Sequence, residues 1–67
     1  MIRWEQRFVD KSTAVAFDGL AEIGRVQRIG GSWLVQYKGD DVAFRPDKKS
    51  AMEALVSVHA EAQKERQ

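Results

Sequence analysis

The clearest structural signal in this 67-residue chain lies in residues 25–38, which read Arg-Val-Gln-Arg-Ile-Gly-Gly-Ser-Trp-Leu-Val-Gln-Tyr-Lys. Gly30 and Gly31 accept the turn dihedrals that match the twist of antiparallel strands, so this pair predicts a β-hairpin. The residues after the turn have the aromatic and β-branched composition that strands favour. Strand alternation then predicts Trp33, Val35 and Tyr37 on one face, with Leu34, Gln36 and Lys38 on the other.

The residues before this hairpin predict further strands. Apolar side chains alternate with polar ones over residues 2–9, which places Trp4 and Phe8 on the same face of a half-buried strand. A polar cluster follows as a turn, and residues 14–17 form a second short strand. Residues 20–29 are ambiguous, because their first half is compatible with a helical turn and their second half with a strand.

A last strand and a helix complete the chain. Residues 39–41 predict a turn and residues 42–45 a short strand, which Pro46 ends because proline has no N–H for the ladder. Beyond it the apolar period becomes that of a helix over about residues 48–65, with a frayed tail at 64–67. Ser50 with Glu53 forms a capping box, and Asp47 is an alternative cap. The predicted helical stripe contains Met52, Leu55, Val56, His59 and either Ala62 or Gln63.

These elements predict an α+β fold. A small antiparallel meander of three to five strands, within residues 2–45, would carry one C-terminal α-helix packed on one face. A chain of 7.6 kDa has room for a single domain, residues 1–67. One helix covers one face of a small sheet, so the other face is left for solvent, a ligand or a second copy.

The composition limits the class of protein. The chain has no cysteine, which excludes disulfides, and a domain of this size without them makes a homodimer plausible. The sequence has neither an apolar run that could span a bilayer nor an apolar stretch behind its N-terminus. We therefore expect a cytoplasmic protein that does not insert into membranes.

The sequence contains few residues that could form a catalytic or metal-binding site. His59 is the only histidine, and its place in the helical stripe favours packing against the sheet. Ser57 would diverge from it on a helix, so the two do not form a catalytic pair. The turn carboxylates Asp40 and Asp41 supply too few oxygens for calcium. We therefore expect no enzymatic activity, no metal and no cofactor.

Charge is distributed unevenly although the net charge is only +1. Residues 25–49 contain six basic and three acidic side chains, a local excess of three positive charges that favours an anionic partner. Lys48 and Lys49 oppose the dipole at the predicted helix start, which a phosphate partner would explain. The predicted nucleic-acid-binding residues are Arg25, Gln27, Arg28, Gln36, Lys38, Arg45, Lys48 and Lys49.

The aromatic stripe of the first strand suggests a second kind of surface. If the single helix does not reach this part of the sheet, Trp4 and Phe8 would be exposed, and contiguous exposed apolar area marks interfaces. We therefore predict that Trp4 and Phe8 contribute to a partner or dimer interface.

Part of the sequence resembles a known family. The residues that carry the resemblance are the run Gly31-Ser32-Trp33-Leu34-Val35-Gln36-Tyr37, then Gly39, Phe44, Asp47 and Ala51-Met52-Glu53-Ala54-Leu55. It is similar to the three-strand-plus-helix DNA-binding domains of the AP2 and integrase N-terminal type. The resemblance covers about residues 24–60 and implies that the sheet face opposite the helix reads DNA. The matching positions are Arg25, Gln27, Arg28, Gln36 and Lys38.

Two functions follow as hypotheses. The first is a non-enzymatic nucleic-acid-binding or regulatory module that uses the exposed sheet face, with DNA as its partner. The alternative is a small interaction protein, such as an inhibitor or an accessory factor from a mobile element. Such a protein would bind a larger protein partner through the sheet and the N-terminal hairpin.

Overall fold

A computed structural model describes residues 2–9 and 11–65 of the chain. It contains five strands and one helix, in the order β1 (Ile2–Arg7), β2 (Thr13–Asp18), β3 (Ala21–Ile29), β4 (Ser32–Tyr37), β5 (Asp40–Arg45) and α1 (Lys48–Glu65). The strands form one antiparallel sheet in chain order, so the α+β meander expected from the sequence is confirmed with five strands. Asp10 and residues 66–67, which were assigned to a turn and a frayed tail, lie outside the described residues.

Residues 21–29, the ambiguous segment, form a strand throughout. A register shift opposite Ala16 and Phe17 inserts Ile23 as an extra residue in β3. The inserted Ile23 side chain is buried in the core. The bulge breaks the period-2 pattern of this segment, which explains why its first half did not read as a strand.

The helix packs mainly on β3, β4 and β5 and leaves the helix side of β1 and β2 less covered. Its buried residues are Ala51, Leu55 and His59, spaced four residues apart. The predicted stripe was correct for Leu55 and His59 but not for Val56, which is 40% exposed. The buried core cluster comprises Ala14, Ala16, Ile23, Val26, Val35, Ala51 and Leu55.

Gly24 of β3 leaves the space that Leu55 of α1 occupies. A Cβ atom at this position would lie 2.9 Å from Leu55 Cδ1 and would overlap the backbone carbonyl oxygen of Gln36. Leu55 is fully buried and the Gln36 carbonyl belongs to β4, which pairs with β3, so neither group can move away freely. Only glycine fits here without a shift of the helix or of β4.

Asp47 caps the helix, which decides between the two caps considered from the sequence. Its Oδ1 accepts a hydrogen bond from the Ser50 backbone N–H at 2.8 Å. This hydrogen bond lowers the pKa of the Asp47 carboxyl below its usual value.

Within the described residues, no helix combines the length and apolar composition needed to cross a bilayer.

Candidate nucleic-acid interface

The sheet face opposite the helix, here called the open face, carries neutralised charges. On β1, Arg3 Nη1 lies 2.8 Å from Glu5 Oε2, and Arg7 Nη2 lies 3.1 Å from Glu5 Oε1. On β3, Arg25 pairs with Glu22 at 3.0 Å. The hydrogen bond from Arg3 is the main cause that lowers the pKa of Glu5.

Polar contacts across the strands extend this arrangement. Gln27 Nε2 donates to Gln36 Oε1 at 2.8 Å, and Gln36 Nε2 donates to Asp41 Oδ1 at 2.9 Å. Arg25, Gln27 and Gln36, predicted to contact nucleic acid, thus lie together on the open face, but each is bonded to a neighbour. Three arginines and three carboxylates share this face: Arg3, Arg7, Arg25, Glu5, Glu22 and Asp41.

The other predicted contact residues lie elsewhere. Arg28 and Arg45 are both cross-strand partners of Trp33, so they share the helix side of the sheet with it. Lys38 follows β4 in the turn before β5, with φ 51°, and its Nζ lies 5.5 Å from the Tyr37 ring centroid. Strand alternation predicted that Lys38 lies with Gln36 on the face opposite the helix, and this prediction was wrong. The turn ends the alternation after Tyr37.

Five basic residues gather at one end of the sheet, around Trp33. In an antiparallel meander the odd strands end where the even strands begin, so β3, β5 and the starts of β2 and β4 meet there. The helix begins at the same end because it follows β5 directly. We call this group the basic end, and it consists of Lys11, Arg28, Arg45, Lys48 and Lys49.

Lys48 occupies the middle of the basic end. Its Nζ donates to Gln6 Oε1 and, at 3.2 Å, to the backbone oxygen of Lys11, and it lies 5.7 Å from the Trp33 ring centroid. Partial burial and the nearby charge of Lys11 lower its pKa. Among the described residues, no carboxylate forms an ion pair with Lys48 or Arg45. An ammonium group has three donors, so Lys48 can donate one more hydrogen bond.

Trp33 is half-buried and packs against the core cluster. Its cross-strand neighbours Arg28 and Arg45 flank it on the two adjacent strands. The aromatic ring therefore links the core to the basic end.

A groove of about 780 Å³ lies between β1 and α1, next to the basic end. Trp4, Met52 and Val56 are its apolar lining residues, and the polar ones are Gln6, Lys48, Lys49, Glu53 and Ser57. Sequence reasoning selected Trp4 but treated Met52 and Val56 as core. Phe8 does not join this surface, because it lies after β1 with φ 69° and is 74% exposed.

The single histidine joins the helix to the far end of the sheet. His59 Nε2 lies 3.0 Å from Asp18 Oδ2, and His59 Nδ1 lies 3.1 Å from the Tyr37 hydroxyl. The tautomer that is protonated on Nε2 donates to Asp18 and accepts from Tyr37. The hydrogen bond from His59 lowers the pKa of Asp18. His59 therefore packs against the sheet as predicted, and both of its nitrogens have partners.

The described residues contain no group of three side chains that could hold a metal ion. No protein-family model matches the chain, and no curated protein or solved structure is detectably similar to it. The resemblance to AP2 and integrase N-terminal domains therefore stays a prediction from the sequence.

Proposed function

We propose that this chain is a small nucleic-acid-binding module that contacts the phosphate backbone through the basic end. The observation that carries the proposal is the position of Lys48, which lies between Lys11 and Trp33 and has no carboxylate partner within residues 2–9 and 11–65. Four of the residues selected from the sequence belong to this surface: Arg28, Arg45, Lys48 and Lys49.

The electrostatics of Lys48 supports an anionic ligand. Its pKa is lowered by burial and by repulsion from Lys11, so its charged form is less stabilised in the free protein than that of a solvated lysine. A phosphate at this point would offset the repulsion between the two cations. Its oxygens would also accept the hydrogen bond that Lys48 has left to donate.

The open face is a poorer surface for phosphate, although the sequence favoured it. Exposed ion pairs open at little cost, but the carboxylates stay on the same strands after they open. Glu5 and Glu22 would then repel the phosphates that Arg3 and Arg25 attract. We therefore move the proposed contact from the open face to the basic end.

Two matched double variants test this assignment. Arg45→Gln with Lys49→Gln removes two charges from the basic end, and Arg3→Gln with Arg25→Gln removes two from the open face. Anisotropy of a labelled DNA measured over a salt series should give a loss of about tenfold or more for the first pair at about 50 mM salt. Its slope of log affinity against log salt should also become shallower by roughly one to two.

The open-face pair should keep most of the affinity. Equal losses in the two pairs would mean that only net charge matters, and a larger loss in the open-face pair would return the contact to that face. Absence of binding to DNA and RNA by the wild-type protein at low salt would remove the proposed function.

A second candidate function is self-association through the β1–β2 turn. Phe8 and Val9 protrude there and are 74% and 103% exposed. Adjacent exposed apolar side chains form a contiguous patch of the kind that marks interfaces. Sedimentation of the wild type and of Phe8→Ser with Val9→Ser tests this candidate. If the protein self-associates through this turn, the wild type should be a dimer and the double variant a folded monomer. A wild type that is monomeric at high concentration would exclude self-association.

A further inference from the structure

We propose that the groove between β1 and α1 receives an unpaired base of a single-stranded nucleic acid, while the flanking phosphates bind Lys48 and Lys49. This inference rests on the proposed function, since it names the form of nucleic acid that the same surface takes.

The groove exists because small residues lie beside the first strand. The cross-strand partners of Trp4 and Gln6 on β2 are Ala16 and Ala14, which are too small to fill the space beneath the helix. The helix itself packs mainly on β3 to β5. An apolar floor of Trp4, Met52 and Val56 is therefore left between β1 and α1.

This floor suits the flat face of a base. An indole ring stacks on any base, whatever its sequence, and thioether and aliphatic groups pack against the same π surface. A base within a duplex is already stacked on both sides and cannot enter such a groove. The lining therefore selects an unpaired base.

Polar groups around the floor can meet the edge of that base. The Gln6 carbonyl oxygen already accepts from Lys48, so the Gln6 amide NH₂ is left to donate to a base carbonyl. Glu53 and Ser57 also line the groove, and they can accept a hydrogen bond from an exocyclic amino group.

The charge around the groove favours a polyanion over an apolar peptide. Lys48 and Lys49 line the groove together with one carboxylate, Glu53, which leaves an excess of one positive charge in the lining. The two lysines also belong to the basic end, which continues past Trp33 to Arg28 and Arg45. A series of cations that starts at an aromatic groove matches a chain with a phosphate at every nucleotide. An acidic peptide has no such regular repeat of charge.

The experiment compares a labelled 12-nucleotide DNA, the same DNA as a duplex, and RNA of the same sequence, all at one salt concentration. The wild type should bind at least one single strand about tenfold more tightly than the duplex. Trp4→Leu keeps an apolar side chain but removes the ring, and it should weaken single-strand binding about tenfold with little change for the duplex. The sugar that binds more tightly identifies the natural class as DNA or RNA.

A second variant guards against misfolding of Trp4→Leu. Val56→Glu puts a carboxylate into the groove at an exposed helix position, and Ala60→Glu makes the same charge change at an exposed position outside the groove lining. Val56→Glu should reduce single-strand binding at least fivefold more than Ala60→Glu. Thermal unfolding of each variant checks that the fold is intact.

The outcomes separate the two proposals. Equal binding of single strand and duplex, with both insensitive to Trp4→Leu and Val56→Glu, would overturn the groove inference and leave the basic end as a backbone-binding surface. Binding to none of the three nucleic acids would overturn the proposed function itself. A groove that bound an acidic peptide but no oligonucleotide would also overturn the inference.

Discussion

The open face has three arginines that pair with two glutamates, whereas the basic end has five cations, of which Lys48 and Arg45 form no ion pair among the described residues. On the open face each arginine that belongs to a described ion pair has its glutamate on the same strand, within 3.1 Å. At the basic end, Lys48 donates only to neutral oxygens, and Lys11 is its close neighbour. Under the proposed function, the pairing of cations as well as their number distinguishes the surface that binds an anion.

The difference has a simple geometric origin. Alternate residues of a strand point to the same face, so Arg3, Glu5 and Arg7 meet each other along β1. The basic end is instead assembled from the ends of separate elements, namely β3, β5 and α1, and from Lys11 before β2. At this end Asp47 directly precedes Lys48 and Lys49, but its Oδ1 accepts a hydrogen bond from the Ser50 backbone N–H as the helix cap.

The largest effect is expected from loosening the contact that positions the helix and its lysines. Gly24→Ala should destabilise the fold by roughly 1–3 kcal/mol, because the new methyl group would overlap the Gln36 carbonyl and press on Leu55. Gly31→Ala is the matched control, since a Cβ there meets nothing within 4 Å. Urea unfolding measures both variants. Equal stability of the two would show that α1 does not depend on Gly24.

Removing carboxylates from the open face would leave its arginines unpaired, as Lys48 is at the basic end. Glu5→Gln with Glu22→Gln frees Arg3, Arg7 and Arg25, and should raise affinity for DNA about threefold to tenfold at about 50 mM salt. The control is Glu61→Gln with Glu65→Gln, which makes the same change of net charge on exposed positions of α1. If the control raises the affinity as much, net charge alone accounts for binding.

A smaller effect is expected from the pH dependence of the helix cap that supports the basic end. The pKa of Asp47 is lowered by its hydrogen bond from Ser50, so its stabilising contribution is fully present above the unfolded pKa, about 3.9. That contribution is lost as the pH falls through the lowered folded value. Asp47→Asn keeps a capping oxygen but cannot titrate, so it should match the wild type at pH 7 and lose less stability between about pH 4 and pH 2.

Thermal unfolding at several pH values measures this difference. Asp47→Ala provides the comparison without a cap, and it should be less stable than Asp47→Asn already at pH 7. Identical acid transitions for the wild type and Asp47→Asn would contradict the assignment of the cap.

Much of the architecture could be predicted from patterns among neighbouring residues. Gly30 has φ 60° and lies in the turn between β3 and β4, as the glycine pair predicted. The helix occupies residues 48–65 as its apolar period indicated. The extent of β3 was not accessible, because the bulge at Ile23 and the role of Gly24 depend on pairing with β2 and packing against Leu55.

The candidate site was only partly accessible. The sequence selected Arg28, Arg45, Lys48, Lys49 and Trp4. It assigned Arg28 and Arg45 to the open face together with Arg25 and Lys38, and it placed Lys48 and Lys49 at the helix start. Lys11, Met52 and Val56 were missed. The antiparallel order was the one available signal, since it brings the end of each odd strand close to the start of the next even strand.

The sequence by itself determined the helix, the Gly30-Gly31 turn and the strands other than the first half of β3, because alternation, glycine dihedrals and helical period act over a few neighbouring residues. Tertiary structure decided which charges are neutralised, where Lys38 points and that a groove opens beside Trp4. These properties depend on distances between residues that are remote in the chain. Such distances are set only when the sheet registers are formed and Leu55 has packed onto Gly24.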